Sequence, residues 1–146
     1  MRLWIDADAC PVVEIAIRVA RKYGTDVMLV CDDAHQLQRE GAQTITVARG
    51  ADSADLALVN LLRRNDGVIT QDYGLAALCL ARGARPMDQN GRMYTQSNID
   101  SLLGMRHVCQ KARRAGERTK GPRKRTREQN EQFEQALERL LAQKTE

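Results

Sequence analysis

The sequence predicts an α/β fold in which helices flank a mostly parallel sheet. Two observations predict it. Short apolar runs recur at residues 3–5, 27–30, 45–47 and 68–70. Between most of them lie stretches whose apolar residues are spaced by three and four, the signature of a helix burying one face. Parallel strands need such crossover segments.

The elements follow in order. Residues 3–5 form a first strand that runs into Asp6. Pro11 suits a helix start, where its missing N–H costs nothing. Val12, Ile15, Ala16, Val19 and Ala20 make the buried stripe, and Gly24 ends the helix. The run 27–30 is continuously apolar, as for a strand covered on both faces. Another strand is predicted at 45–47. Gly50-Ala51-Asp52-Ser53 turns into a helix carrying Leu56, Val59 and Leu62, which Asn65-Asp66-Gly67 breaks. A strand at 68–70 precedes a helix marked by Leu75, Leu78 and Cys79 and ending near Gly83. Residues 85–96 read as turns. Residues 99–114 read as helix, interrupted at Gly104. Thr126 and Gln129 form a capping-box pattern. Phe133, Leu137, Leu140 and Leu141 then place one apolar face on a terminal helix. That helix can dock on its own core or join two subunits in a homodimer. The predicted organisation is an α/β domain over 1–115, followed by a basic loop and amphipathic helix over 116–146.

Bulk properties narrow the function. Of 146 residues, 42% are hydrophobic, enough for a real core. The five aromatics, Trp4, Tyr23, Tyr73, Tyr94 and Phe133, are too few and scattered for a base-stacking platform. No run approaches a membrane span, and the N-terminal stretch lacks the apolar core of a signal peptide. The cysteines, at 10, 31, 79 and 109, show no C-x-x-C pair, so reduced thiols in a cytoplasmic protein are expected. Net charge is +4 but polarised. Residues 1–110 hold 12 basic and 13 acidic residues, while 111–146 hold 11 and 6.

The acidic residues suggest chemistry. Asp6 and Asp8 follow the first strand, Asp72 follows the strand at 68–70, and Asp55 lies in the first turn of a helix. In open parallel sheets ligands bind beyond the carboxyl ends of the strands. Carboxylates gathered there repel one another unless protons or a cation intervene. A hard divalent cation is the natural solution, and it needs no histidine. Each acid also has a plainer reading. Asp52 can cap the helix at Ser53, Asp55 can sit against the helix dipole, and Asp72 can cap the helix at Tyr73.

Four motifs, in order, resemble a known family: Ile5-Asp6-Ala7-Asp8-Ala9-Cys10-Pro11, Gly50-Ala51-Asp52-Ser53-Ala54-Asp55, Thr70-Gln71-Asp72-Tyr73-Gly74-Leu75-Ala76 and Lys120-Gly121-Pro122-Arg123. Together they resemble the YaiI/YqxD family of bacterial proteins, which is grouped with PIN-like nuclease domains. The resemblance implies a Rossmann-like (PIN-like) sheet and acids that hold Mg²⁺ or Mn²⁺ for phosphodiester hydrolysis. By position it implies Asp6, Asp55 and Asp72 as the shared acids, with Asp8 supplied by the D-x-D form and Asp52 nearby. Cys10 reads as a helix-start residue, since a reactive thiol wants a base or positive charge beside it.

Nine basic residues between 111 and 127 face one acid, Glu117. They are Lys111, Arg113, Arg114, Arg118, Lys120, Arg123, Lys124, Arg125 and Arg127, a composition that suits either a polyphosphate backbone or a solvated basic linker. Three functions are therefore in play. The first is a metal-dependent nuclease acting on RNA. The second is a haloacid-dehalogenase-type phosphatase with Asp6 as nucleophile, although Cys10 departs from that motif. The third is a nucleic-acid-binding protein without catalysis.

Overall fold

The computed structural model describes residues 1–8, 10–32, 38–47, 53–104 and 124–143. In chain order these form β1 (Arg2–Asp6), α1 (Val13–Lys22), β2 (Asp26–Asp32), β3 (Gln43–Val47), α2 (Ser53–Leu61), β4 (Gly67–Ile69), α3 (Tyr73–Ala81) and β5 (Arg85–Met87). A helix α4 follows over 96–104, and α5 spans Arg127–Ala142. The strands lie in the order β3-β2-β1-β4-β5, and every pairing is parallel.

The alternation of side chains along each strand divides the core in two. Leu3 and Ile5 of β1, with Val27 and Leu29 of β2, face α1 and α5. Trp4, Met28, Val30 and Val68 point the other way, toward Leu58, Leu62, Leu75 and Cys79 on and beside α2 and α3. Both faces are covered, which is why β2 is apolar from residue 27 to residue 31. A third cluster joins Ala76 of α3 to Tyr94, Ile99 and Leu102, so α4 packs outside α3.

Two elements differ from the sequence reading. Residues 85–87, expected as turn, form β5. Pro86 has no N–H to give a ladder, and β5 tolerates it because it is the outermost strand of the sheet. Helix α4 starts at residue 96, three positions earlier than expected, because Thr95 and Asn98 cap it reciprocally. The expected helix over 105–114 lies outside the described residues.

Helix α5 begins at Thr126, whose side chain and that of Gln129 form the capping box read from the sequence. Phe133, Leu137, Leu140 and Leu141 enter the same cluster as β1 and α1. The apolar face is thus buried against its own chain. Gly91 (φ +85°) lets the turn at 88–91 meet α5, since a Cβ there would lie 2.7 Å from Ala136 Cβ. Arg125 secures the helix start, donating to Asn90 Oδ1, Asn130 Oδ1 and the Gln89 carbonyl.

Candidate functional site

The sheet register sets the stage. Central strands β1, β2 and β4 run parallel, so their carboxyl ends fall on one edge. Asp6 is the last residue of β1 and Asp32 the last of β2. Thr70 follows β4 directly, and Asp72 comes two residues later at the start of α3.

Asp6 is half-buried, and its Oδ2 accepts a 2.9 Å hydrogen bond from the Thr70 hydroxyl. Burial pushes its carboxyl above the ordinary range, the Thr70 bond pulls it back, and the charges of Asp8 and Asp72 push it up again. Those two acids therefore lie within electrostatic reach of Asp6. Asp8 Oδ2 accepts from the Asp32 backbone N–H at 3.2 Å, tying the loop after β1 to the end of β2. Asp72 Oδ1 accepts from the N–H groups of Gly74 and Leu75 at 2.8 and 3.2 Å, so this residue does cap α3. A cap and a site residue are compatible, because a carboxylate has two oxygens.

Asp55 sits in the first turn of α2, as expected. Its charge is felt at the Cys79 thiol, together with that of Asp6. The charges acting on Asp6 itself come from Asp8 and Asp72. Asp52 lies outside the described residues. Among the described residues no three His, Cys, Asp or Glu side chains stand grouped as a ready-made metal cage. The convergence is of two acids, Asp8 and Asp72, on Asp6, each with one oxygen engaged by backbone N–H groups.

The sequence reading missed Thr70, Tyr94 and Asp32. Thr70 is 2% exposed. Its hydroxyl donates to Asp6 and accepts from the Asp72 N–H at 3.0 Å, joining the two acids through one atom. The Tyr94 hydroxyl donates to the Thr70 carbonyl at 3.1 Å and holds that strand end in place. A threonine at the end of a strand carries no signal by itself. Asp32 ends an apolar run as Asp6 does, and that parallel could have found it.

Cys10 does have a positive charge nearby, since Arg125 acts on it across the fold, contrary to the local reading. Burial nevertheless prevails and pushes the thiol up, so it stays protonated at neutral pH. Cys79 is buried and pushed up to about 12. At both, burial disfavours the thiolate, the reactive form. Of the nine basic residues, Lys124 and Arg127 are exposed, Arg127 lying 3.4 Å from Glu131. Arg125 is engaged as described, and the other six lie outside the described residues.

The raised carboxyl of Asp6 has a thermodynamic consequence. The folded state binds its proton more tightly than the unfolded chain, so ionisation there opposes folding. Without added metal, the contribution of Asp6 to stability is expected to rise as pH falls from neutral through its folded-state titration, and to stop rising below the ordinary carboxylate range. Asp6→Asn should be more stable than the parent at pH 7 in chelator and should lose that part of the pH dependence. Thermal melts across pH would measure it, and a variant less stable than the parent at pH 7 would contradict the sign.

Fold and site together define a parallel α/β protein with neighbouring acids at the carboxyl ends of its central strands. The chain belongs to the YaiI/YqxD family, whose model, described as "Uncharacterized BCR, YaiI/YqxD family", matches residues 4–143. A UPF0178 protein of Exiguobacterium sibiricum is 58% identical over 146 residues, the whole of both chains. Another, from Clostridium acetobutylicum, is 48% identical over 143 residues, 97% of each chain. A third, from Ruminiclostridium cellulolyticum, is 48% identical over 137 residues, 94% of this chain and 90% of the relative. No solved structure matches the chain. No described helix is long and apolar enough to cross a membrane.

Proposed function

We propose that this protein is a divalent-metal-dependent phosphodiesterase acting on RNA, with Mg²⁺ or Mn²⁺ held at Asp6. The observation that carries the proposal is the state of Asp6. A half-buried carboxyl, raised by burial and by two neighbouring acids, gains by facing a cation. Mg²⁺ typically takes one or two carboxylates and completes its shell with water and phosphate oxygens. Asp6 with Asp72 offers the one or two carboxylates such an ion takes. Asp6 and Asp72 are the proposed ligands, with Asp8 and Asp55 orienting water or completing the shell. Such a cation would neutralise charge on a phosphate and lower the pKa of a bound water. Thr70 holds Oδ2 of Asp6 and so fixes the orientation of its carboxylate. RNA rests on the resemblance to PIN-like nucleases and on the basic run between 111 and 127.

The test is a melt in chelator, then in Mg²⁺ or Mn²⁺, followed by an RNA-cleavage assay. Saturating cation at a hundredfold over its Kd is worth about 2.7 kcal/mol, a Tm rise of roughly 5 to 10 °C for a chain of this size. Asp6→Asn should abolish both the rise and cleavage. No shift of the parent in either cation at neutral pH would overturn the proposal. RNA binding without turnover in either metal would leave a binding protein.

A further inference from the structure

The opposite edge of the sheet carries the opposite charge. The loop after α2 and the loop after α3 are laced together there. The Asn65 N–H donates to the Gly83 carbonyl at 2.9 Å, and the Arg85 N–H to the Asp66 carbonyl at 2.8 Å. This lacing sets Arg63 and Arg64 beside Arg82 and Arg85. The Arg64 side chain lies across Gly83, where a Cβ would come within 3.1 Å of its Cγ. Arg2, at the start of β1, reaches the same loop, its guanidinium donating to the Leu61 carbonyl at 3.0 Å.

Five arginines thus share one edge with two acids, the exposed Asp26, which lies in register beside Arg2, and Asp66. Asp66 is 1% exposed and occupied by the Arg2 N–H, the Trp4 indole and the Arg63 N–H. Arg63, Arg64 and Arg82 are exposed, and among the described residues no carboxylate pairs with any of them. Stabilising helix ends is the plain role for such residues. The C-termini of α2 and α3 supply only about half a negative charge each. Together with Asp66 and Asp26 they offset about three of the five positive charges.

We propose that this edge is a second nucleic-acid contact surface, one that grips phosphates. The argument is charge complementarity. Arg2 is held by the Leu61 carbonyl, Asp66 and the Trp4 ring and Arg85 by Gln143, which leaves Arg63, Arg64 and Arg82 as exposed planar forks that can pair with phosphate oxygens two bonds at a time. A membrane surface would call for an amphipathic helix, whereas among the described residues the exposed large apolar side chains near this edge, Met1, Leu61 and Leu78, are scattered over three segments. β1 separates the arginines from Asp6 by about 13 Å at 3.3 Å per residue. One polymer can therefore lie against the basic edge while another part of it approaches Asp6. Binding at the basic edge needs no metal, so it stands independently of the proposed hydrolysis.

The test compares the parent with R63Q/R64Q/R82Q, using a labelled mixed-sequence RNA in chelator over a range of salt. Each lost phosphate contact makes the slope of log affinity against log salt shallower by about 0.7 to 0.9. The triple variant is expected to bind at least tenfold more weakly at low salt, with a slope shallower by about two. Repeating the comparison with Asp6→Asn should give the same difference, so failure of the metal reading would remain separate. Unchanged affinity and slope, with only Tm altered, would return the arginines to the helix ends and overturn the proposal. Loss of binding to phosphatidylglycerol vesicles with RNA binding intact would overturn it in favour of a membrane.

Discussion

Phe133→Ala is expected to cost about 3 to 5 kcal/mol, the range for emptying a large buried aromatic site. For a chain of this size that lowers Tm by roughly 10 °C or more. Phe133 is fully buried, as are Leu137 and Leu141, and all three join the cluster that holds Leu3, Ile5 and Leu29 of the sheet. Removing the ring opens a cavity between α5 and the strands, and the neighbours cannot easily refill it. Gly91 already brings the 88–91 turn against the α5 backbone, with its Cβ position 3.2 Å from Phe133 Cα. The α1–α5 ion pairs are a useful contrast. Arg18–Glu134 and Lys22–Glu138, at 2.7 and 3.2 Å, sit on the surface with their basic partners more than half exposed. Such pairs are worth about 0 to 1 kcal/mol each. Replacing Glu134 and Glu138 by glutamine should therefore move the urea midpoint far less than Phe133→Ala. If the alanine variant unfolded at the parent's midpoint, α5 would not be part of the cooperative core.

Asp66→Ala is the second large effect. The carboxylate accepts the Arg2 N–H at 2.9 Å on Oδ1, and on Oδ2 the Trp4 indole and Arg63 N–H groups, each at 3.0 Å. It joins the start of β1, the largest buried side chain and the loop before β4. Alanine leaves three donors without their acceptor, and the indole N–H is buried with Trp4 at 1% exposure. Each buried unsatisfied group costs about 1 to 3 kcal/mol. A total loss of about 3 kcal/mol or more is expected, read by urea unfolding, with a changed Trp4 fluorescence. Asp66→Asn should recover part of it, because one amide oxygen remains as acceptor. A variant within 0.5 kcal/mol of the parent, the scatter of ordinary surface changes, would show that the network contributes little.

Asp66 also shows where reading a sequence stops. Asn65-Asp66-Gly67 is recognisable as a helix breaker, and Asn65 does take a left-handed φ of 71°. Nothing local reveals that its carboxylate reaches Trp4, 62 positions away. Asp72 is the converse case. Its capping of α3 is local, was available from spacing, and is present.

The amino-acid order determined the strands of the central sheet, their helical connections and the capping box of α5. These depend on periodicity and on contacts within about one helical turn, and the chain carries both as a pattern. It also determined that Asp6 and Asp72 follow strands. The tertiary structure alone decided that β5 joins the sheet edge, that α5 packs on its own α1, that Thr70 bridges Asp6 to the α3 cap, and that Asp55 acts on Cys79 while Asp8 and Asp72 act on Asp6. Each of these is a meeting of distant segments, chosen by how whole surfaces pack, and no local run of residues encodes it.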